Sequence, residues 1–261
     1  MAHLQPRCNQ SPTPGPDKRL LITGASGALG RALALYHAGP DVSLSLWGRN
    51  EERLSRTTEA VRALGAEASQ RSLDLTNCDA AVAALIEEDS EAPFDVAYLV
   101  AGTGDVCPAD AIVEPPQQVA RVVQTNFTAP AAMAAAIADR MAARGQGRIV
   151  IVGSAAGHHA LPSAASYAAS KAGLARFADA LRIAMKPHGV SVVLVAPGFI
   201  ASGAEQRPMA MPASVAARRI ARAAERGKRH YVTPWLFTAL RLLDKALPTA
   251  LRDRLLAAIR P

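Results

Sequence analysis

The chain has 261 residues, half of them hydrophobic, with a formal net charge of +7 at pH 7. That suits one large α/β domain with a sizeable core, and no run approaches the roughly 20 apolar residues of a membrane-spanning helix. The charge sits at one end, 11 Lys/Arg against 3 Asp/Glu from Pro212 onward, so the body is near neutral and does not read as a nucleic-acid-binding protein.

Residues 1–17 carry four prolines and no apolar segment, which reads as a disordered leader rather than a secretory signal. Cys8, Cys78 and Cys107 show no metal or redox spacing and fit a reducing cytoplasm. Leu20 to Thr23 predicts a short strand that runs into Gly24-Ala25-Ser26-Gly27-Ala28-Leu29-Gly30. The helix that follows carries Leu29, Leu33 and Leu35. Strand, glycine turn and helix in that order suit a phosphate, because the backbone N–H groups are open and the helix N-terminus favours negative charge.

Val42 to Trp47 predicts a second strand. Asn50 then caps a helix with Glu51 and Glu52 in its first turn, Leu54, Val61 and Leu64 on one face, and Gly65 as its stop. Between them stands Arg49, where a dinucleotide fold reads its ribose. An Arg there can meet a 2′-phosphate, whereas an acid would bind the 2′-hydroxyl. Next come Ser72 to Leu75, a helix around Asn77 to Asp89, and the strand Val96 to Val100 ending in Ala101-Gly102. One long helical stretch spans Gln117 to Arg144. The strand Arg148 to Gly153 leads to a helix running to about Lys186. Val190 to Ala196 is another buried strand, followed by Pro197-Gly198, a helix from Ser214 to Glu225, and a short last strand at Tyr231 to Thr233. Continuous apolar strands alternating with helices predict a parallel sheet covered on both faces. The expectation is a single-domain, Rossmann-type doubly wound α/β fold over residues 18–233.

Residues 234–261 form a separate basic extension. Leu236, Leu240, Leu243 and Leu247, then Leu251, Leu255 and Ile259, repeat at helical spacing, with Arg241, Lys245, Arg252 and Arg254 off the stripes. Two readings stand: the stripes pack on the domain or in an oligomer, or they rest on the inner face of an anionic membrane.

Within Ser154 to Lys171, Tyr167 and Lys171 lie four apart and share one face of a helix. A fixed positive neighbour favours the phenolate and lowers the phenol pKa, and such a Tyr can exchange a proton near neutral pH. Ser154, at a strand end, can hydrogen-bond the same reacting oxygen.

With these positions in order, the chain resembles the short-chain dehydrogenase/reductase family over about residues 18–233. Thr23, Gly24, Ser26, Gly27, Leu29 and Gly30 resemble its nucleotide turn. Asp74 and Leu75 match its adenine contact, Ala101 and Gly102 its turn after the fourth strand, and Asn126 its helix-borne Asn. Ser154, Tyr167 and Lys171 match its catalytic trio. Pro197, Gly198 and Ile200 resemble its Pro-Gly segment at the nicotinamide, with Ser202 where Thr is usual. Two departures stand out. The glycines fall as G-x-x-G-x-x-G, the spacing of epimerase-like relatives, and Leu99-Val100 replace the usual Asn-Asn.

The resemblance implies hydride transfer between a nicotinamide and a carbonyl or secondary alcohol, with NADP(H) preferred over NAD(H) because of Arg49. Tyr167 would be the acid/base and Ser154 the oxyanion partner. Lys171 would tune Tyr167 and hold the nicotinamide ribose, and Asn126 would fix a water beside Lys171. No metal is implied. An open segment from Phe199 to Met211, with Met209 and Met211, suits a bulky or lipophilic small-molecule substrate, and His158 and His159 stand on the wall of its site. A homodimer or homotetramer through the helices at Gln117–Arg144 and Ser166–Lys186 is also implied. An NAD(P)-dependent epimerase or dehydratase, and a non-catalytic nucleotide-binding protein, remain as alternatives.

Overall fold

The computed structural model describes residues 18–201, 210–228, 230–233, 247–248, 250 and 253–254. The leader 1–17, Ser202, Met209 and nearly all of the extension from residue 234 lie outside them. Seven strands form one sheet in the order β3-β2-β1-β4-β5-β6-β7, and every pairing is parallel. They are β1 (Lys18–Thr23), β2 (Val42–Gly48), β3 (Glu67–Ser72), β4 (Val96–Leu99), β5 (Gly147–Val152), β6 (Val190–Pro197) and β7 (His230–Thr233). Between them run α1 (Ala28–His37), α2 (Glu51–Arg62), α3 (Cys78–Glu91), α4 (Pro116–Val123), α5 (Ala129–Arg144), α6 (Ala165–Met185) and α7 (Ala213–Glu225). This is the Rossmann-type doubly wound architecture.

Successive side chains of a strand point to opposite faces, so a sheet covered on both sides needs apolar residues at every position. In β1, Leu20 and Ile22 enter the core with Leu33 of α1, Leu54 of α2 and Ile220 of α7. Leu21 enters the opposite core with Leu85 of α3, Ile137 and Met141 of α5 and Leu174 of α6. Chain order reverses between β1 and β4. Loops leaving the two strands part there and open a crevice at their C-terminal ends, where this fold class binds ligands.

Three local expectations change. The polar segment Glu67–Ser72 forms β3, because an edge strand with one neighbour needs no apolar run and its charges discourage further pairing. Leu64 is half exposed, since α2 ends at Arg62 before the stripe reaches it. The long helix from Gln117 is interrupted: residues Gln124–Thr128 form a π turn in which the Ala129 N–H donates to the Gln124 carbonyl. Pro130 has no N–H to return to the carbonyl of Asn126, so a continuous α-helical ladder cannot pass this point. Asn50 and Asn77 cap α2 and α3 through their side chains, at 2.8 Å and 3.1 Å. Among the described residues no helix is long and apolar enough to cross a membrane.

Candidate active site

A cleft of about 420 Å³ opens at the reversal point between β1 and β4. Eleven of the sequence-predicted cofactor residues line it: Thr23, Gly24, Ser26, Gly27, Leu29, Gly30, Arg49, Asp74, Leu75, Ala101 and Gly102. Thr23 ties its two walls together. Its Oγ1 accepts from the N–H of Val100 at 3.0 Å and of Ala101 at 3.2 Å. The floor has no room for side chains. A Cβ on Gly30 would lie 2.2 Å from the Gly24 carbonyl oxygen, and one on Gly24 would lie 2.9 Å from Ala101 Cα. Gly24 also has φ +71°, a conformation glycine adopts without strain. At the N-terminus of α1, Gly27 offers no side-chain cap, so the N–H groups of the first turn keep their donor capacity toward the cleft.

On the rim, the Thr76 N–H donates to Asp74 at 2.9 Å. That bond holds the Asp74 carboxyl below its ordinary range against the opposing effect of burial, and the positive charge of Arg49 adds to it. Arg53, in the first turn of α2, joins Arg49 on the wall. Sequence reasoning passed over it, although its spacing of four from Arg49 was there to read. Thr103 and Thr125 also line the cleft, and nothing in local periodicity marks either.

Gly102 connects this cleft to a second group of residues. A Cβ there would lie 3.0 Å from Asn126 Oδ1 and 3.3 Å from Lys171 Nζ, so the bare backbone passes against both. Asn126 is fully buried on the π turn, and its amide exchanges two hydrogen bonds with the backbone of Thr103. Lys171 Nζ donates to the Val152 carbonyl at the end of β5, at 3.0 Å. Burial alone brings its pKa down to about 8. Ser154 follows β5 and caps a short 3₁₀ turn, its Oγ accepting from the Ala156 N–H at 3.2 Å. Its hydroxyl also hydrogen-bonds the Tyr167 phenol. A Cβ on Gly157 would lie 2.9 Å from the Ala172 nitrogen, so the turn after Ser154 lies directly on α6.

One expectation is reversed here. Tyr167 was expected below its ordinary pKa through Lys171. Burial instead pushes the phenol up, with the Ser154 hydrogen bond acting against it. The physical reason is shared desolvation, since Lys171 stands in the same water-poor interior and its own charged form is disfavoured.

Pro197 closes β6 and is buried, but Pro197, Gly198 and Ile200 do not line the cleft. Ile200 instead bridges to Met211. Ser202, the remaining predicted cofactor residue, lies outside the described residues. His158 turns its ring toward His230 of β7, 5.8 Å between centroids. Among the described residues no cluster of three metal-ligating side chains occurs.

The sequence profile of the short chain dehydrogenases matches residues 18–211. The chain is 32% identical over 239 residues to an uncharacterized oxidoreductase of Myxococcus xanthus, covering 89% of this chain and 94% of that protein. Among solved structures, a short-chain dehydrogenase from Sphingobium yanoikuyae in complex with NADPH superposes with a TM-score of 0.78 at 25% identity, covering 93% and 96% of the two chains. The bulky-bulky ketone specific alcohol dehydrogenase from Comamonas testosteroni follows with a TM-score of 0.77 at 25% identity, over 93% and 95%. Glycine floor, reversal-point cleft and the Ser154–Tyr167–Lys171 neighbourhood thus coincide with family-level similarity across most of the sequence, and the chain belongs to the short-chain dehydrogenase/reductase family of oxidoreductases.

Proposed function

We propose that this protein is an NADPH-preferring carbonyl reductase, running in reverse as an alcohol dehydrogenase, with Tyr167 as its acid/base. The observation that carries the reading is Gly102, whose backbone joins the nucleotide cleft to Asn126 and Lys171. The cleft fits a dinucleotide: its floor excludes even a methyl group, the α1 N-terminus offers free N–H donors, and Arg49 and Arg53 stand on the rim. Gly24, Gly27 and Gly30 would receive the pyrophosphate, Asp74 and Leu75 the adenine, and Arg49 with Arg53 the 2′-phosphate. When bound, the nicotinamide supplies or accepts the hydride.

The chain's own groups handle the proton and the charge. A phenol raised by burial keeps its proton at neutral pH, which is the state reduction of a carbonyl requires. Tyr167 gives that proton to the carbonyl oxygen, while the Ser154 hydroxyl stabilises the oxyanion as it develops. Lys171, fixed on the Val152 carbonyl, stabilises the phenolate left behind. Asn126 holds the loop at Thr103 in place beside Lys171.

The Comamonas testosteroni neighbour, specific for bulky-bulky ketones, and Phe199, nearly half exposed on the segment after β6, support a bulky or lipophilic ketone as substrate. We also assign the catalytic domain to residues 18–233, with 234–261 as an extension of packing or membrane-docking character, and a homodimer or homotetramer in the cytoplasm.

The test is NADPH consumption over a panel of ketones and aldehydes, with wild type and Tyr167→Phe. Multiple turnovers and a loss of about 10²–10⁴-fold in the variant support the reading. A cofactor retained through turnover assigns the chain to the epimerase alternative, and near-normal turnover by Tyr167→Phe overturns the proton-donor role.

A further inference from the structure

Helix α6 begins without a local cap. Its N-cap position is Ala164, no side chain caps it, and no acidic residue lies in its first turn. Yet this helix presents Tyr167 and Lys171, and Tyr167 lies within that first turn, where orphan N–H groups make a helix end prone to fray. The missing partner comes from elsewhere in the chain. Glu114, in the loop between β4 and α4, is buried and sends both carboxylate oxygens to Ser166, the residue before Tyr167. Its Oε2 accepts from the Ser166 N–H at 2.7 Å and its Oε1 accepts from the Ser166 hydroxyl at 2.6 Å. Gln118 of α4 donates to the same Oε1 at 3.2 Å and to the Val106 carbonyl at 3.0 Å.

A carboxylate taken out of water is costly unless hydrogen bonds replace its hydration. Here three donors do so, two of them from one residue. Two bonds to one residue fix its orientation as well as its place. The other end of the same loop is fixed at Thr103 by Asn126, and Cys107 N–H donates to the Ser163 carbonyl at 2.7 Å just before α6. The loop after β4 therefore holds the start of α6 in register with the cleft wall from which it departs.

We propose that Glu114 is a positioning residue for Tyr167, setting the phenol against the reacting oxygen through Ser166. This rests on the assignment of Tyr167 as proton donor. It predicts a defect in kcat and not in cofactor affinity, because none of the residues joined to Glu114 lines the nucleotide cleft.

The experiment measures ketone-dependent NADPH oxidation and NADPH affinity by fluorescence titration on the full chain. The variants are Glu114→Ala, Glu114→Gln, Ser166→Ala, Tyr167→Phe and Glu114→Ala with Tyr167→Phe. Glu114→Ala is expected to lower kcat by about 10–100-fold, the scale of a small misplacement at a reacting centre, with NADPH affinity unchanged. Glu114→Gln keeps the volume and one acceptor and should recover most of that loss. The double variant should be no slower than Tyr167→Phe alone, since a positioning residue has nothing left to position. Normal kcat in a folded Glu114→Ala overturns the proposal, as does a further loss in the double variant or weakened NADPH binding. If Glu114→Ala does not fold, Ser166→Ala carries the test: it leaves the N–H bond intact and should still lower kcat, and normal kcat there overturns the proposal. Near-normal turnover by Tyr167→Phe removes the underlying assignment, whereas a collapsed Tyr167→Phe beside normal Glu114 and Ser166 variants removes the positioning role alone.

Discussion

Asn126 and Thr103 are joined by a two-way pair: the amide Oδ1 accepts from the Thr103 N–H at 2.8 Å, and Nδ2 donates to the Thr103 carbonyl at 2.8 Å. Only a side-chain amide of this length serves both at once. An aspartate lacks the donor, and a leucine, branched in the same way, lacks both groups.

Asn126→Leu should therefore destabilise the protein by about 1–3 kcal/mol, the sum of two ordinary hydrogen bonds. For a chain of this size that lowers the melting temperature by roughly 2–4 °C per kcal/mol, measurable by thermal denaturation. An unchanged melting temperature would mean that the loop is held by its other contacts.

Cofactor preference should respond to the rim. Arg49→Asp replaces a cation with an anion beside Asp74, which already senses the Arg49 charge. NADPH binding should weaken strongly while NADH is spared, because the loss falls on the 2′-phosphate alone. Fluorescence titration with both cofactors decides it, and equal loss for both refutes the rim assignment. Arg53→Ala should show the same bias in weaker form.

Lys171 should leave a signature in the pH dependence of stability. Its folded pKa is depressed to about 8 from an ordinary 10.5, so between those values the unfolded chain binds the extra proton. Stability from this group is thus present above the unfolded value and lost as pH falls through the folded one. Lys171→Met removes the titration. Relative to wild type, the variant should be most stable at and below neutral pH and lose ground as pH rises from about 8 to 10.5. Melting temperatures at several pH values test this, and a constant difference between the two proteins would exclude it.

The glycine floor can be probed by contrast. A Cβ on Gly30 meets backbone atoms at 2.2 Å, 2.6 Å and 2.9 Å, while one on Gly39 meets nothing within 4 Å. Gly30→Ala should destabilise severely or prevent folding, since backbone cannot yield as a side chain can. Gly39→Ala should be neutral or stabilise by about 0.4–1 kcal/mol through the unfolded state. Denaturant unfolding of both checks the pair, and similar effects at the two positions would contradict it.

Much of the architecture was legible because buried parallel strands and capped helices write directly into sequence. Leu20 to Thr23, Asn50 with Glu51 and Glu52, and the glycine turn all read as the structure has them. What escaped depended on partners distant in sequence. The polar β3 is a strand only because β2 lies beside it. The direction of the Tyr167 pKa follows from burial, which a spacing of four residues cannot reveal. Glu114 reads as a loop acid until the fold brings Ser166 to it across 52 positions. The interruption near Asn126 was written locally, in Pro130, but the alanine-rich run around it masks the signal.

That interruption also changes how the chain tolerates insertion and deletion. A π turn carries one residue more per turn than the helices on either side of it, so Gln124–Thr128 stores a single surplus position between α4 and α5. One turn of either kind sweeps the same full circle, so removing one residue there would let the flanking turns fuse with little change of phase, and α4 and α5 would keep their packing faces. The loss would be local: Asn126, carried on the widened turn, would be displaced from Thr103. A one-residue gap at this point would spare the fold and strike the site.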